Sequence, residues 1–508
     1  MRMLSASQKM ISTSFTHTNI QTKASIRAGI DLNNPFFIAG ILLVIQLAVA
    51  LLTDSMTLTQ EESMWHYIGR NWLRHGMIPY SGGADNKSPI IFLVFGISDS
   101  LFGVNYWFPR ILGLIVQAVG MLYLFKIVNQ LSNRQAGIIA LAIYGLSLAW
   151  KSTGGKYVSF TETYAVTGIL VAYYYALTGH QYKHFMLGGL TAGIGLAFRI
   201  SALFGIIAIL YFLIRKGSKS FLTFLASAVA TFLLILFVFK ALAINLNELL
   251  HFGFLDNLRS GSVTDHSVSW KLENFANAFF YTDFVLFYPF LLTYFILGLP
   301  SRHLTIWLIL EFAGIVVLGI FARNHFKHLL PVMSIMCGLS LNFLITRYGL
   351  PFTKVMIIVV LAFLPKTWEP FFALKKILSG TGHTLVRGCD ISSTKPPEQV
   401  KKSLGLWIRS RLKVDESVYI AGTGSVIQAY SERVSPTIYF NATHTTKARD
   451  QLFSDLRTNN PSMILIPKFE NYRKHVPLEI REFIAKKVSL HYSLDCCMSG
   501  YEIYQLKQ

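Results

Sequence analysis

Charged residues are scarce in this 508-residue chain, in which Asp, Glu, Lys and Arg together make up 14% of the residues. An ordinary soluble domain carries roughly a quarter charged residues, so the shortage excludes a disordered chain and most soluble enzymes. Hydrophobic residues account for 53% of the chain, and its mean hydropathy is +0.46. Much of the surface is therefore expected to face lipid rather than water.

Acidic residues are particularly few, since 26 Asp and Glu stand against 46 Lys and Arg and give a formal net charge of +20. A basic excess can indicate nucleic-acid binding. Membrane proteins, however, also concentrate Lys and Arg in cytoplasmic loops and against anionic headgroups. The apolar composition favours this second explanation and predicts no nucleic-acid partner.

Cysteine is also scarce, with four residues and no CxxC or Cys/His spacing of a zinc site. A disulfide-dense scaffold is therefore excluded, while one disulfide bond in the C-terminal tail stays an alternative. The chain has no HExxH motif, and the turn at 422–424 lacks the GxGxxG spacing of a phosphate-binding loop. No cofactor is expected, and a divalent metal ion is left open.

Apolar segments follow one another from residue 36 to residue 370. We expect about eleven transmembrane helices, preceded by a basic N-terminal stretch that favours an uncleaved first helix over a secretory signal. The shorter apolar stretch 89–102 is expected to be embedded or interfacial. The expected spans lie at about 36–52, 109–126, 135–150, 163–178, 185–214 counted as two, 220–243, 277–298, 304–322, 329–346 and 354–370.

Basic residues between these spans indicate the orientation. With a cytoplasmic N-terminus, the basic loops alternate onto the cytoplasmic side, as the positive-inside rule requires. We therefore predict a multi-pass protein of the cell (inner) membrane with a cytoplasmic segment 1–34, a transmembrane domain 35–370 whose first loop 54–108 is extracytoplasmic, and a C-terminal domain 371–508. Strand-like runs at 417–421, 463–466 and 501–504, separated by helical patterns, predict that this last domain is a small extracytoplasmic α/β domain.

The loop 54–108 begins with a helix signal. Thr59 and Glu62 have the spacing of a capping box, apolar residues repeat every four positions from Met64, and Gly76 sits where a glycine ends a helix. This pattern predicts an amphipathic helix on the outer membrane surface. Glu61 or Glu62 could act there as a general base, whereas capping and compensation of the helix dipole are the alternative for both.

The residues that follow carry a family resemblance. The acidic pair is followed by Pro79-Tyr80, Asn86-Lys87-Ser88-Pro89, Leu101-Phe102-Gly103 and Arg110. This order resembles the GT-C glycosyltransferases, in the branch of the protein O-mannosyltransferases and the lipid A aminoarabinose transferases, which use polyprenyl-phosphate-linked sugars. The resemblance implies a polytopic helical fold, a polyprenyl-phosphate sugar donor and an active site on the outer face.

The resemblance also implies roles for individual residues. Glu61 falls at the position of the catalytic acid, usually Asp in the family, with Glu62 beside it as the second candidate. Lys87 would offer a cation to phosphate, although the motif around it has lost its acid and its first proline. Arg110 matches a family arginine at the outer end of the next span, which implies a substrate-binding position.

Charged residues at membrane depth extend this candidate site, because such residues usually face a cavity or a partner. Glu162 matches a family acid near the sugar, with a pair to Lys156 as the alternative. Arg199 is expected to contact phosphate rather than pair with Glu162. A basic segment before Leu330-Pro331 resembles one that engages the lipid phosphate, with contact to anionic lipids as its alternative; its candidate residues are Arg323, Lys327 and His328.

The sequence thus predicts a membrane glycosyltransferase of GT-C type that moves a sugar from a polyprenyl-phosphate donor to a protein, lipid or glycan acceptor. The resemblance implies a single inverting step with a carboxylate base. A polytopic transporter or lipid flippase is the main alternative. Transporters tend to show paired halves, and no such symmetry is visible here. A non-catalytic scaffold would not account for charges gathered on one face.

Overall fold

The computed structural model describes most of the chain. The described residues are 34–52, 56–255, 268–280, 283–299, 301–318, 321, 323–367, 372, 374–375, 385–388, 397–422, 424–438, 446–469, 472 and 476–507. The predicted N-terminal segment 1–34, apart from Asn34, and the predicted domain boundary at residue 370 lie outside this part.

The regular elements among the described residues before residue 364 are helices. They are α1 Pro35–Leu51, α2 Gln60–His75, α3 Pro89–Phe102, α4 Trp107–Leu131, α5 Arg134–Ser147, α6 Thr161–Thr178, α7 Tyr182–Phe198, α8 Ala202–Lys216, α9 Ser218–Ala241, α10 Leu246–Leu250, α11 Val268–Phe280, α12 Tyr288–Ile296, α13 Arg302–Leu318, α14 Leu330–Tyr348 and α15 Phe352–Phe363. By length and composition, α4, α9 and α14 can each cross a membrane, and the bent pair 269–296 makes a fourth if counted as one span. The number eleven stays a prediction.

The helices pack around α5, whose residues from Ala136 to Ser147 are all buried. Gly338 of α14 lets the two helices approach closely, since a Cβ added there would lie 2.7 Å from the Cβ of Ala140. At the other extreme, Leu233 and Phe237 of α9 are 57% and 68% exposed. Such large apolar side chains exposed along a long apolar helix indicate that α9 faces lipid.

The break predicted within 185–214 is confirmed. Helix α7 ends at Phe198, Arg199 adopts an extended conformation with φ −157° and ψ 126°, and α8 begins at Ala202. The arginine therefore lies between two short helices instead of interrupting one long one. Its side chain is thereby placed at a helix junction, where polar partners are available.

Helix α2 begins and ends as its sequence predicts. Thr59 and Glu62 form a complete capping box, and Gly76 ends the helix with φ 67°. The predicted surroundings are wrong, however, because Trp65 and Ile68 are buried by protein instead of lying on a membrane surface. Gly69 explains the tight packing of α2 on α3, since a Cβ added to it would lie 2.2 Å from the carbonyl oxygen of Phe92.

The C-terminal domain is a small α/β unit, as predicted. Its sheet has the order β1-β2-β4-β3, with β1 and β2 parallel and the other pairs antiparallel. Helices pack their apolar residues, such as Leu404 and Ile484, against this sheet. The elements are α16 Glu398–Arg411, β1 Val418–Ile420, α17 Ser425–Ser431, α18 Thr446–Thr458, β2 Met463–Pro467, α19 Leu478–His491, β3 Tyr492–Met498 and β4 Tyr501–Leu506.

Helix α17 docks this domain onto α2. Ser425 Oγ donates to the carbonyl oxygen of Gln60 at 2.7 Å, and Arg70 Nη1 donates to that of Ala429 at 3.0 Å. Tyr430 OH accepts a hydrogen bond of 3.0 Å from Thr57 Oγ1. The C-terminal domain and the loop 54–108 therefore lie at the same end of the helical bundle.

Candidate active site

Glu62 is committed to a buried ion pair. Its carboxylate accepts from Arg110 Nε at 2.9 Å and from Arg110 Nη2 at 2.6 Å, and also from Ser159 Oγ at 2.6 Å. Burial alone would raise the pKa of Glu62, but the charge and hydrogen bonds of Arg110 outweigh it and lower this pKa. Because the backbone N–H of Thr59 also binds it at 2.9 Å, this carboxylate has no accessible oxygen for a substrate.

Arg110 is equally occupied. Besides Glu62, its guanidinium donates to the carbonyl oxygens of Ala50 at 2.8 Å and Thr57 at 3.0 Å, and the residue is 0% exposed. This geometry argues against the substrate contact that the resemblance implies for Arg110. The arginine instead joins the start of α4 to the start of α2.

Glu61 is the carboxylate that stays accessible. It follows the first residue of α2, so its backbone belongs to the rigid capped turn, while its side chain reaches solvent. Surrounding protein atoms desolvate the carboxyl group and raise the pKa of Glu61. The positive charge of Lys87 lowers this pKa, and the negative charges of Asp85 and Glu62 raise it. The environment therefore favours a carboxylate able to take up a proton.

The loop after α2 holds Lys87 close to Glu61. Tyr80 has a positive φ of 71°, which is uncommon for a residue with a side chain, and its hydroxyl donates to the carbonyl oxygen of Lys87 at 2.7 Å. Asp85 accepts from Trp65 Nε1 of α2 at 2.7 Å. The ammonium group of Lys87 donates to Asn86 Oδ1. Tyr80 thus positions Lys87, a role that sequence analysis did not assign.

Glu162 and Arg199 form a second cluster. Glu162 Oε1 lies 3.0 Å from Arg199 Nη1 and accepts from Asn324 Nδ2. The pair that the sequence analysis ranked second for Arg199 is therefore present. The alternative pair between Glu162 and Lys156 is absent from the described contacts, and the ammonium group of Lys156 lies over the ring of Tyr157 instead.

The basic segment lies in a 3-10 helix, Arg323–His328, beside this cluster. Lys327 is buried and donates to the carbonyl oxygen of Tyr157 at 2.9 Å, and its burial lowers the pKa of the ammonium group to about 8. His328 Nε2 lies 3.0 Å from Ser201 Oγ. Burial first, and then the charge of Arg199, lowers the pKa of His328 to about 3. The side chain of Arg323 lies outside the described residues.

A cavity of about 160 Å³ brings the two clusters together. Lys87 and Arg199 line it together with apolar residues of α7, α9 and α10, including Leu196, Leu236 and Leu249. The cavity adjoins lipid-facing α9, so it combines two cations with an apolar wall beside the lipid. Helix α10 and the following turn, predicted only as a connector, supply part of this wall.

Most predicted site residues therefore gather at one end of the bundle. Lys87 and Arg199 line the cavity, and Glu61 and Glu162 interact with these two cations. His328 contacts Ser201 next to Arg199, and Lys327 binds the carbonyl oxygen of Tyr157. Ser159, Ser201, Asn324 and Glu311 belong to the same networks and were missed. Among the described residues, no group of three or more His, Cys, Asp or Glu side chains is placed to hold a metal ion.

Comparisons with known proteins agree with this architecture. Residues 86–241 match the family model described as dolichyl-phosphate-mannose-protein mannosyltransferase. A search of curated proteins finds no match. Two structures of ArnT from Cupriavidus metallidurans each align with 92% of this chain and 97% of their own. The apo state has a TM-score of 0.60 at 14% identity, and the complex with undecaprenyl phosphate has 0.58 at 12%.

A more distant match is the archaeal oligosaccharyltransferase AglB from Archaeoglobus fulgidus, in complex with an inhibitory peptide and a dolichol-phosphate. It has a TM-score of 0.52 at 12% identity, over 93% of this chain and 74% of that chain. These similarities confirm the polytopic helical fold predicted from the sequence. Together with the family-model match, they confirm the predicted resemblance to the GT-C glycosyltransferases.

Proposed function

We propose that this protein is a GT-C glycosyltransferase that takes a sugar from a polyprenyl-phosphate-linked donor and transfers it to an acceptor hydroxyl at the extracytoplasmic face. The observation that carries the proposal is a cavity lined by two cations and an apolar wall beside the lipid, with an accessible carboxylate, Glu61, in electrostatic contact with one of these cations, Lys87. A polyprenyl phosphate has the complementary chemistry, with an anionic head and an apolar tail.

The donor phosphate would lie between Lys87 and Arg199. Lysine offers phosphate a point charge, whereas arginine offers directed N–H groups. The polyprenyl chain would follow the wall formed by Leu196, Leu236 and Leu249 towards α9. Undecaprenyl phosphate bound to ArnT and dolichol-phosphate bound to AglB support this class of donor.

The reaction would be one inverting displacement. The acceptor oxygen attacks the anomeric carbon as the bond from that carbon to the phosphate oxygen breaks. The hydroxyl proton passes to Glu61, and polyprenyl phosphate leaves with its charge held by Lys87 and Arg199. A positioned general base contributes typically about 10²- to 10⁴-fold to the rate. The acceptor would be a hydroxyl of a protein, a lipid or a glycan.

The extracytoplasmic location has two supports. Basic residues such as Arg134, Lys183 and Arg215 flank the bundle at loops predicted to face the cytoplasm, in agreement with the positive-inside rule. Cys497 of the C-terminal domain forms a disulfide bond, and such bonds persist in oxidising compartments. The C-terminal domain docks on α2, so Glu61 would share its compartment.

The test uses purified full-length protein in lipid nanodiscs with a panel of undecaprenyl-phosphate sugars, and it measures the release of undecaprenyl phosphate. We expect turnover of at least one donor, loss of about 10²-fold or more in Glu61→Gln, and unchanged donor binding in that variant. Glu479→Gln is the matched control, because Glu479 is also the second residue of a helix and is exposed.

Two results would contradict the proposal. One is full turnover by Glu61→Gln. The other is the absence of cleavage of every donor, combined with movement of a donor across vesicles by the wild-type protein, which would favour the transporter or flippase alternative.

A further inference from the structure

A buried carboxyl group lies behind the phosphate cluster without a role in the proposed displacement. Glu311 of α13 is 3% exposed and sits among apolar side chains within an apolar helix. Its Oε1 accepts from Trp307 Nε1 at 3.0 Å, and its Oε2 lies 3.6 Å from His328 Nδ1. Ionisable residues at such depth are costly and are usually retained for a function.

The helix opposite Glu311 leaves room for this carboxyl group. A Cβ added to Gly205 of α8 would lie 2.8 Å from Glu311 Oε1. Any larger residue at position 205 would press on the carboxyl oxygen. The glycine and the glutamate are therefore complementary across the interface between α8 and α13.

From Glu311 a chain of polar contacts leads to the cavity, and its first step, 3.6 Å from Glu311 Oε2 to His328 Nδ1, is longer than a hydrogen bond. His328 faces Glu311 with Nδ1 and approaches Ser201 Oγ with Nε2 at 3.0 Å. Ser201 Oγ accepts from Arg199 Nε at 3.0 Å. Arg199 Nη1 then meets Glu162 at 3.0 Å and Thr161 Oγ1 at 3.2 Å.

We propose that Glu311, His328 and Ser201 form a positioning relay that holds the Arg199 guanidinium towards the donor phosphate, an inference that rests on the proposed function. The carboxyl group faces Nδ1 and favours the proton on this nitrogen of the His328 ring, so that Nε2 accepts from the Ser201 hydroxyl. The Ser201 hydroxyl proton then points to Nε2, and its oxygen lone pairs are turned to accept the N–H of Arg199 Nε.

The relay accounts for how Arg199 can serve both Glu162 and a ligand. Nε and Nη1 are held by protein atoms, whereas Nη2 has no hydrogen-bond partner among the described residues, and Arg199 lines the cavity. A guanidinium with two nitrogens fixed presents the third in a defined direction. Without the relay, rotation of the arginine side chain would weaken the phosphate contact before it affected the chemical step.

The experiment measures binding of undecaprenyl phosphate to the purified full-length protein in nanodiscs, together with donor KM, kcat and thermal stability. We expect Ser201→Ala and Glu311→Leu to raise the dissociation constant and donor KM about tenfold, which corresponds to one charge-assisted hydrogen bond, with a smaller effect on kcat. Ser201→Thr and Glu311→Gln, which keep a hydrogen-bonding group, should bind within about threefold of wild type.

Ser340→Ala is the matched control, because it also removes a buried serine hydroxyl, which donates to Phe290, and it does not touch the relay. A merely structural role of Ser201 would lower thermal stability and leave the dissociation constant of the folded protein unchanged. That result would overturn the relay. Failure of the wild-type protein to bind undecaprenyl phosphate would instead overturn the proposed function.

Discussion

At the scale of single residues, two adjacent glutamates have opposite environments. Glu62 is enclosed and paired with Arg110, whereas Glu61 one position earlier is accessible and its pKa is raised. A base must be ionised to accept a proton, so we expect kcat/KM to fall as the pH drops through the raised pKa of Glu61. The acid limb of the pH profile should thus lie above the range of an ordinary glutamate.

The neighbours of Glu61 allow this assignment to be tested by the direction of a shift. Asp85→Asn removes a negative charge that raises the pKa of Glu61, so the acid limb should move to lower pH. The asparagine keeps an oxygen that can accept from Trp65 Nε1. A pH profile of kcat/KM for both proteins measures the shift. An unchanged limb would mean that another group controls it.

Glu62 is expected to affect stability more than chemistry. Glu62→Gln leaves the guanidinium of Arg110 buried without its counter-charge, and breaking such a pair typically costs about 3–5 kcal/mol. Thermal unfolding in nanodiscs should show a clear loss of stability for this variant and little change for Glu61→Gln. Equal stability of the two variants would contradict the structural role of Glu62.

Residue types in the site were predictable from the sequence, but their partners were not. The acidic pair, Lys87 and Arg199 are each recognisable from local pattern and from their cost in an apolar segment. Glu62 and Arg110, however, lie 48 positions apart, and the bond from Asn324 to Glu162 spans 162 positions. Only the packing of helices decides such pairs. For this reason the sequence could not show that Glu62 and Arg110, both expected to act on substrate, bind each other instead.

At the scale of elements, the sequence predicts helix boundaries that carry a local chemical signal, and it misses elements that carry none. The capping box of α2 and the arginine between α7 and α8 act locally, so the sequence predicts them. Strand β3 was missed because its middle residues are largely exposed and lack apolar alternation. Helix α17 was missed because it has seven residues, all buried, and so shows no amphipathic period.

Helix α17 is expected to position α2, the helix that carries the proposed base Glu61. Tyr430→Phe removes the acceptor for Thr57 and Leu58 just before the capped start of α2. A hydrogen bond contributes about 1 kcal/mol, so transfer activity should fall about fivefold. Tyr492→Phe is the matched control, since its hydroxyl donates to Pro461 within the C-terminal domain, away from α2. Equal activity of the two variants would indicate that the contact of α17 with α2 does not position Glu61.

At the scale of the whole molecule, the site is assembled from segments that lie far apart in the chain but at one end of the bundle. The loop 54–108, the start of α6, the junction of α7 and α8, and the segment before α14 all meet there. The C-terminal domain covers α2 at the same end. A lipid-linked sugar and an acceptor from water can both reach such a boundary, which a site in the middle of the bundle would not allow.

This assembly predicts one orientation for every part of the site. With the free Cys496 replaced by serine, single cysteines introduced as Ser81→Cys in the loop 54–108 and Ser454→Cys in the C-terminal domain should react with a membrane-impermeant maleimide in intact cells. Gln135→Cys, at an exposed position in the first turn of α5, should react only after permeabilisation, because the basic connection between α4 and α5 is predicted to be cytoplasmic. Labelling of positions 81 and 454 from opposite sides would contradict the docking of α17 on α2. Labelling of all three from outside would contradict the predicted topology and leave the docking intact.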